Sequence, residues 1–346
     1  MMYEKIICRL AGWVSICSIL VSCSESKNKV KMDYMSVTDS VSMQTAAIDK
    51  ELLMPDRLFV AGNNLVVYQP KEEEGIFTVF PLPFDGKGCR TGHIGRGPDD
   101  FIHIDRRSFV PCENGFRVAD GDGAVKTVVI DSCLTKVLTK AQVSTASDAF
   151  NGMVELKDCY LNINLYSDEY EYLRYDKQSG KRTEICPYPE WSPDSDMMKA
   201  FIYNKYTVPH PSGDRFAAFY LYFRKIHIIS QDGELLYERT LDFDGEPGAY
   251  EPASRGSYMA FNSDPVATED YIAVPYLDKI KGRDRGGMTE IQFWSWDCEL
   301  LHRLIFDKSF TTFTIDPKSN ILYACPFNDP HHLYIADLSD ILAASI

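Results

Sequence analysis

From about residue 38 onward the chain is a succession of short apolar runs, many alternating with polar positions, each closed by Gly, Asp, Asn or Pro. A period of two puts successive side chains on opposite faces of a strand, so these runs predict half-buried β-strands rather than helices. The clearest stretch spans residues 95–131, GRGPDDFIHIDRRSFVPCENGFRVADGDGAVKTVVID. It predicts strands at 107–111, 116–119 and 125–130, with a fourth following at 134–139. Cys112-Glu113-Asn114-Gly115 and Asp120-Gly121-Asp122-Gly123 supply the turns, because Asp and Asn bond their own turn backbone and Gly accepts positive φ.

The unit repeats. A strand ending at an acidic turn recurs at Asp85, Asp131, Asp176, Asp232, Asp297 and Asp337, at spacings of 46, 45, 56, 65 and 40 residues. Each turn falls between the third and fourth strands of a module, as in the first (58–60, 65–69, 76–80, 89–94) and the fifth (271–277, 289–296, 299–306). Repetition at this period, with four strands per unit, predicts an all-β six-bladed β-propeller of four-stranded antiparallel blades. Two stacked β-sandwiches divided near 187–193 are the competing architecture.

The sixth module supplies strands at 311–315, 321–325 and 333–337 and then runs out. An uncovered edge would invite pairing with other chains. Residues 38–48 are therefore expected to provide the missing strand and close the ring.

Residues 1–22 read as a secretory signal, with Lys5 and Arg9 ahead of an apolar run at 10–21, too short to span a bilayer. Leu20-Val21-Ser22-Cys23 resembles a bacterial lipobox, which implies lipidation at Cys23. Residues 23–36 are then the lipidated Cys and a flexible tether, and 37–346 a single propeller domain. The formal charge of −14 argues against a nucleic-acid partner, which needs clustered Lys and Arg. Beyond Cys23 lie Cys89, Cys112, Cys133, Cys159, Cys186, Cys298 and Cys325. Their scatter predicts neither a disulfide framework nor a zinc site, and Cys159 and Cys325 read as small core residues.

GRGPDDF at 95–101 resembles the signature of the TolB-like six-bladed propeller lipoproteins of Bacteroides-type bacteria, and FRVADGDGAVKTVVID at 116–131 resembles an NHL-type blade. Asp99 stands where that signature often has Gly, and blades four and five lack the NHL wording. The resemblance implies fold and cell-envelope location, with no assigned activity.

In a propeller the connections between blades and the loops between second and third strands share one rim. Arg96, Asp99, Asp100, Asp120 and Asp122 are expected there, with Glu72 to Glu74, Asp168, the insertion at 279–287, Trp191, His331 and His332. This is the candidate ligand-binding face. The competing reading of GRGPDDF is a tight crossover in which Arg96 pairs with a carboxylate. Asp120-Gly121-Asp122-Gly123 resembles the opening of a calcium loop, though a plain hairpin serves as well and no other cofactor or metal is expected. Asp329, His331 and His332 have metal-ligating chemistry, but adjacent histidines on a strand diverge. Trp191, within a proline-rich loop, is expected to be the exposed aromatic; Tyr166, Tyr170, Tyr172, Tyr175, Tyr220, Tyr222, Trp294 and Trp296 are expected to pack the blades.

No nucleophile elbow, zinc-protease motif or phosphate loop occurs. The sequence therefore predicts a membrane-anchored, non-enzymatic propeller that binds an envelope protein, a peptide or a glycan. The alternative is a divalent-cation-dependent hydrolase or lactonase, with carboxylates gathered at the central channel.

Overall fold

In the computed structural model, residues 29–31, 38–143, 152–191, 197–242, 259–261, 263–279 and 288–343 are described, and their strands form six sheets. The chain opens with β1 (Lys29–Lys31), β2 (Thr38–Val41) and β3 (Gln44–Ala47). Blade 1 follows as β4 (Arg57–Ala61), β5 (Asn64–Tyr68), β6 (Phe77–Pro81) and β7 (Cys89–Thr91). Blade 2 is β8 (Val110–Cys112), β9 (Gly115–Asp120), β10 (Ala124–Asp131) and β11 (Leu134–Gln142). Blade 3 is β12 (Val154–Glu155), β13 (Cys159–Ile163), β14 (Tyr170–Asp176) and β15 (Arg182–Pro187), followed by the short helix α1 (Lys199–Ile202). Blade 4 is β16 (Lys205–Pro209), β17 (Arg215–Tyr220), β18 (Lys225–Ser230) and β19 (Leu235–Asp242). In blade 5 the innermost position is divided between β20 (Met259–Phe261) and β21 (Val266–Ala267), ahead of β22 (Ile272–Lys279), β23 (Thr289–Trp294) and β24 (Leu300–Phe306). Blade 6 is β25 (Phe310–Asp316), β26 (Ile321–Pro326) and β27 (His332–Asp337), and the described chain ends in α2 (Ser339–Ala343).

The ring closes through the N-terminal segment. β3 pairs antiparallel with β27, His332 opposite Ala47 and Ile335 opposite Gln44, and so completes blade 6. The expectation for 38–48 is met by its second half, whereas β2 lies parallel to β24 as an added strand on blade 5. Asp307 holds the step between the two: its carboxylate accepts the Ser42 hydroxyl at 2.8 Å and the Met43 N–H at 3.0 Å. Residues 29–31, expected within a flexible tether, instead pair parallel to β19 of blade 4. The outermost strand of a blade presents unpaired backbone groups, and β1 satisfies them. The chain thus braces three blades before entering the first.

Apolar side chains pack between neighbouring blades. Leu58, Leu65, Val67 and Phe80 of blade 1 meet Tyr323, Cys325 and Leu333 of blade 6 at the closure. Between blades 1 and 2, Phe59, Phe77, Phe101, Phe109 and Phe116 form one aromatic cluster. Edge-on and stacked ring pairs there, such as Phe59 on Phe109 at 4.7 Å, add to the burial itself. A disulfide joins Cys89 of β7 to Cys133 in the turn between β10 and β11. It corrects the reading of the cysteines: two positions 44 residues apart become neighbours only when adjacent blades pack, which linear spacing does not show. Cys159 and Cys325 are buried as expected.

Candidate functional site

Strand order places all the sequence-predicted positions among the described residues on connections of the same rim. Cys23 and residues 280–287 lie outside the described residues. The carboxylates of the 95–131 stretch are nevertheless already engaged by the chain itself.

In the 95–101 crossover, Asp100 accepts the Gly97 N–H at 2.7 Å. A Cβ at Gly95 or Gly97 would come within 2.3 or 2.7 Å of the Asp100 carboxylate and would require that side chain to shift. Phe101 is fully buried against Phe77. Asp99 accepts the Val137 N–H at 2.9 Å, pinning the crossover to β11. Arg96 is exposed and, among the described residues, pairs with no carboxylate, unlike the expected ion pair.

Asp120 does not face solvent. It is wholly buried, accepting N–H groups from Ile102, His103 and Gly121 and the Lys126 ammonium at 2.6 Å. Lys126 also donates to the Asp100 carbonyl at 2.6 Å, so one ion pair ties the β9–β10 hairpin to the crossover. Burial acts to raise the Asp120 pKa, but these hydrogen bonds outweigh it and hold the carboxyl below its ordinary value. Asp122 pairs with Lys140 and accepts the Ala124 N–H. The two carboxylates of the suspected calcium loop thus each face an ammonium group, an arrangement suited to a braced hairpin.

Trp191 is half-buried rather than projecting. Its ring stands edge-on to Tyr220, Phe223 and His227, with the Lys225 ammonium 4.5 Å from its centre. It covers a buried chain of polar groups: Lys205 pairs with Glu171, Tyr220 donates to Glu171 at 2.9 Å, and His227 joins Glu238 at 2.8 Å. The hydrogen bond with His227 brings the Glu238 carboxyl down to about 2. Tyr166, expected to pack, is instead exposed, in the loop between β13 and β14.

His331 and His332 diverge as anticipated, His332 to Asp329 at 2.8 Å and His331 toward Glu51 at 3.6 Å. The bond from His332 lowers the Asp329 pKa. Of these, Asp329 lines a cleft of about 620 Å³ where blade 6 meets blade 1. Its walls are the segment leading into β4 (Leu52 to Asp56), the β5–β6 loop (Pro70, Lys71) and the β26–β27 loop (Pro326 to Pro330). Phe327, Leu53 and Met54 are 70%, 62% and 54% exposed there. Backbone bonds fix the walls: Ile48 N–H to the His331 carbonyl at 3.0 Å and Leu52 N–H to the Pro330 carbonyl at 2.8 Å.

Asp56 of the cleft wall connects it to a neighbouring arginine cluster. Asp56 pairs with Arg106 at 3.1 Å, and Arg106, Arg57 (3.2 Å) and Arg107 (3.8 Å) surround Asp264. Asp264 enters the channel from the break between β20 and β21. Burial alone would raise its pKa; the three guanidinium groups override that and keep it low. The Nε–H groups of Arg57 and Arg106 are buried there without an acceptor among the described residues. The channel therefore presents a carboxylate neutralised by arginines. Among the described residues no cluster of three or more His, Cys, Asp or Glu is placed to hold a metal.

Sequence reasoning missed the cleft and the arginine cluster. Leu52-Leu53-Met54-Pro55, an apolar run without strand alternation, and the Arg106-Arg107 pair were the available signals.

No family model and no curated protein match the sequence. Solved structures do match in fold. A DUF4221-family member from Bacteroides vulgatus aligns over 85% of this chain and 95% of its own, with a TM-score of 0.57 at 10% identity. A putative exported protein from Bacteroides fragilis aligns over 86% and 99%, with a TM-score of 0.50 at 12% identity. At such identities the likeness concerns architecture alone.

Proposed function

We propose that the protein is an exported, lipid-anchored member of the TolB-like propellers that serves as a non-enzymatic binding module, holding an extended peptide segment of an envelope protein in the blade 6–blade 1 cleft. The observation that carries this reading is the cleft itself, preformed, lined by Pro55, Pro70, Pro326 and Pro330, and open at three large apolar side chains. Sites that bind through burial are concave and mainly apolar, with a few placed polar groups. Here Lys71, on the wall of the cleft, supplies a donor for a peptide carbonyl or carboxylate oxygen. A peptide offers such acceptors beside apolar side chains, which favours it over a glycan. The signal-like N-terminus and the Cys89–Cys133 disulfide support export, since disulfides persist in oxidising compartments.

A photo-crosslinking residue at position 327, compared with one at position 318 on the opposite rim, tests the site in envelope preparations. A discrete adduct is expected from 327 and none from 318; equal adducts from both would refute the cleft. Labelling with an alkynyl fatty acid, lost in Cys23→Ala, tests the anchor.

A further inference from the structure

We infer that the outer edge of blade 4 rests on the lipid surface through Leu235, Leu236 and Tyr237, standing the ring on its side with the cleft turned away from the membrane. The inference rests on the anchor reading of Cys23.

β1 runs parallel to β19 with Lys29 opposite Thr240, Val30 opposite Leu241 and Lys31 opposite Asp242. Followed toward the N-terminus, the chain therefore points along β19 from Thr240 toward Leu235. Five residues separate Cys23 from Lys29, six Cα–Cα steps with a reach of at most about 20 Å. The path along β19 from Thr240 back to Leu235 is about 17 Å at strand rise. Acyl chains on Cys23 cannot travel far from this edge.

That edge carries consecutive apolar side chains in the open: Leu235, Leu236 and Tyr237 are 49%, 39% and 45% exposed. Outermost strands normally display charge or brevity as protection against association. Of the neighbouring charges, Glu238 is occupied by Lys225 and His227 and Arg239 by Glu299, while Glu234 stands exposed in the turn ahead of the strand. Residues 24–28, Ser-Glu-Ser-Lys-Asn, are too polar to cover the patch themselves. Leucine enters the acyl boundary and tyrosine suits the headgroup level, so a lipid surface is the occupant this chemistry fits. Blade 1 lies three blades from blade 4, which carries the cleft to the far side.

The test uses the chain from residue 23 with Cys23→Ser and an N-terminal histidine tag, tethered to phosphatidylcholine vesicles through a nickel-chelating lipid, so that no acylation is needed. Tyr237→Trp reports contact; Leu138→Trp, on the outermost strand of blade 2, is the control. Emission from position 237 is expected to shift to the blue and to fall at least about twofold with brominated acyl chains, the response of an indole at the interface. Position 138 should not respond. Adding Leu235→Ser and Leu236→Ser should abolish the response at 237 while the protein stays tethered. Equal quenching at both positions, or none at 237, would overturn the contact. Fatty-acid labelling of Cys23 is scored separately: its absence alongside quenching at 237 would refute the anchor and leave the contact standing.

Discussion

The crossover between blades 1 and 2 and the cleft between blades 6 and 1 occupy the same rim, yet they differ in what their side chains are doing. In the crossover every carboxylate has a partner from its own chain: Asp99 the Val137 N–H, Asp100 the Gly97 N–H, Asp120 Lys126, and Asp122 Lys140. At the cleft, Leu53, Met54 and Phe327 are left in the open. The carboxylates of a conspicuous motif can thus be committed to folding, while a plain stretch of leucine, methionine and proline forms an open apolar surface.

That contrast can be broken by mutation. The largest effect is expected from deleting residues 44–47, which removes the strand closing blade 6; cooperative thermal unfolding should be lost, and an unchanged melt would refute closure by this segment. Next comes the crossover. Asp120→Ala strands the buried Lys126 ammonium and should cost about 3–5 kcal/mol in urea unfolding. Replacing Cys89 and Cys133 by alanine should cost about 2–4 kcal/mol by the same measurement, through release of the unfolded chain. At the cleft, Phe327→Ala should change stability by no more than about 0.5 kcal/mol while removing the crosslinked partner.

The smallest effect sharpens the comparison through pH. The Asp120 carboxyl is held below its ordinary 3.8 in the folded protein, so its contribution is fully present above that value and is lost as pH falls below it. Asp120→Asn should therefore flatten the acid limb of stability measured against pH. Asp329→Asn, whose lowered carboxyl stands exposed and screened at the cleft rim, should flatten that limb less than Asp120→Asn.

The blade pattern was legible in the sequence because strand alternation and Asp-Gly turns are local signals, and the six acidic turns at Asp85 through Asp337 each mark a blade. The closing segment was legible too, by the absence of a fourth strand after Asp337. What the sequence concealed is long-range. Asp264 meets Arg57, Arg106 and Arg107 across the channel, Cys133 meets Cys89 across a blade seam, and Trp191 folds back onto Tyr220 and His227. Each of these partners is chosen by ring geometry, and no spacing along the chain encodes it.

The central claim is that the cleft, rather than the crossover or its carboxylates, meets a partner. Methionine oxidation by dilute peroxide reads this directly, because Met54 lines the cleft and Met288, 48% exposed, lies away from it in blade 5. In intact envelope preparations Met54 should be protected several-fold relative to the purified protein while Met288 oxidises at the same rate in both. Equal oxidation of Met54 in the two preparations would contradict the account.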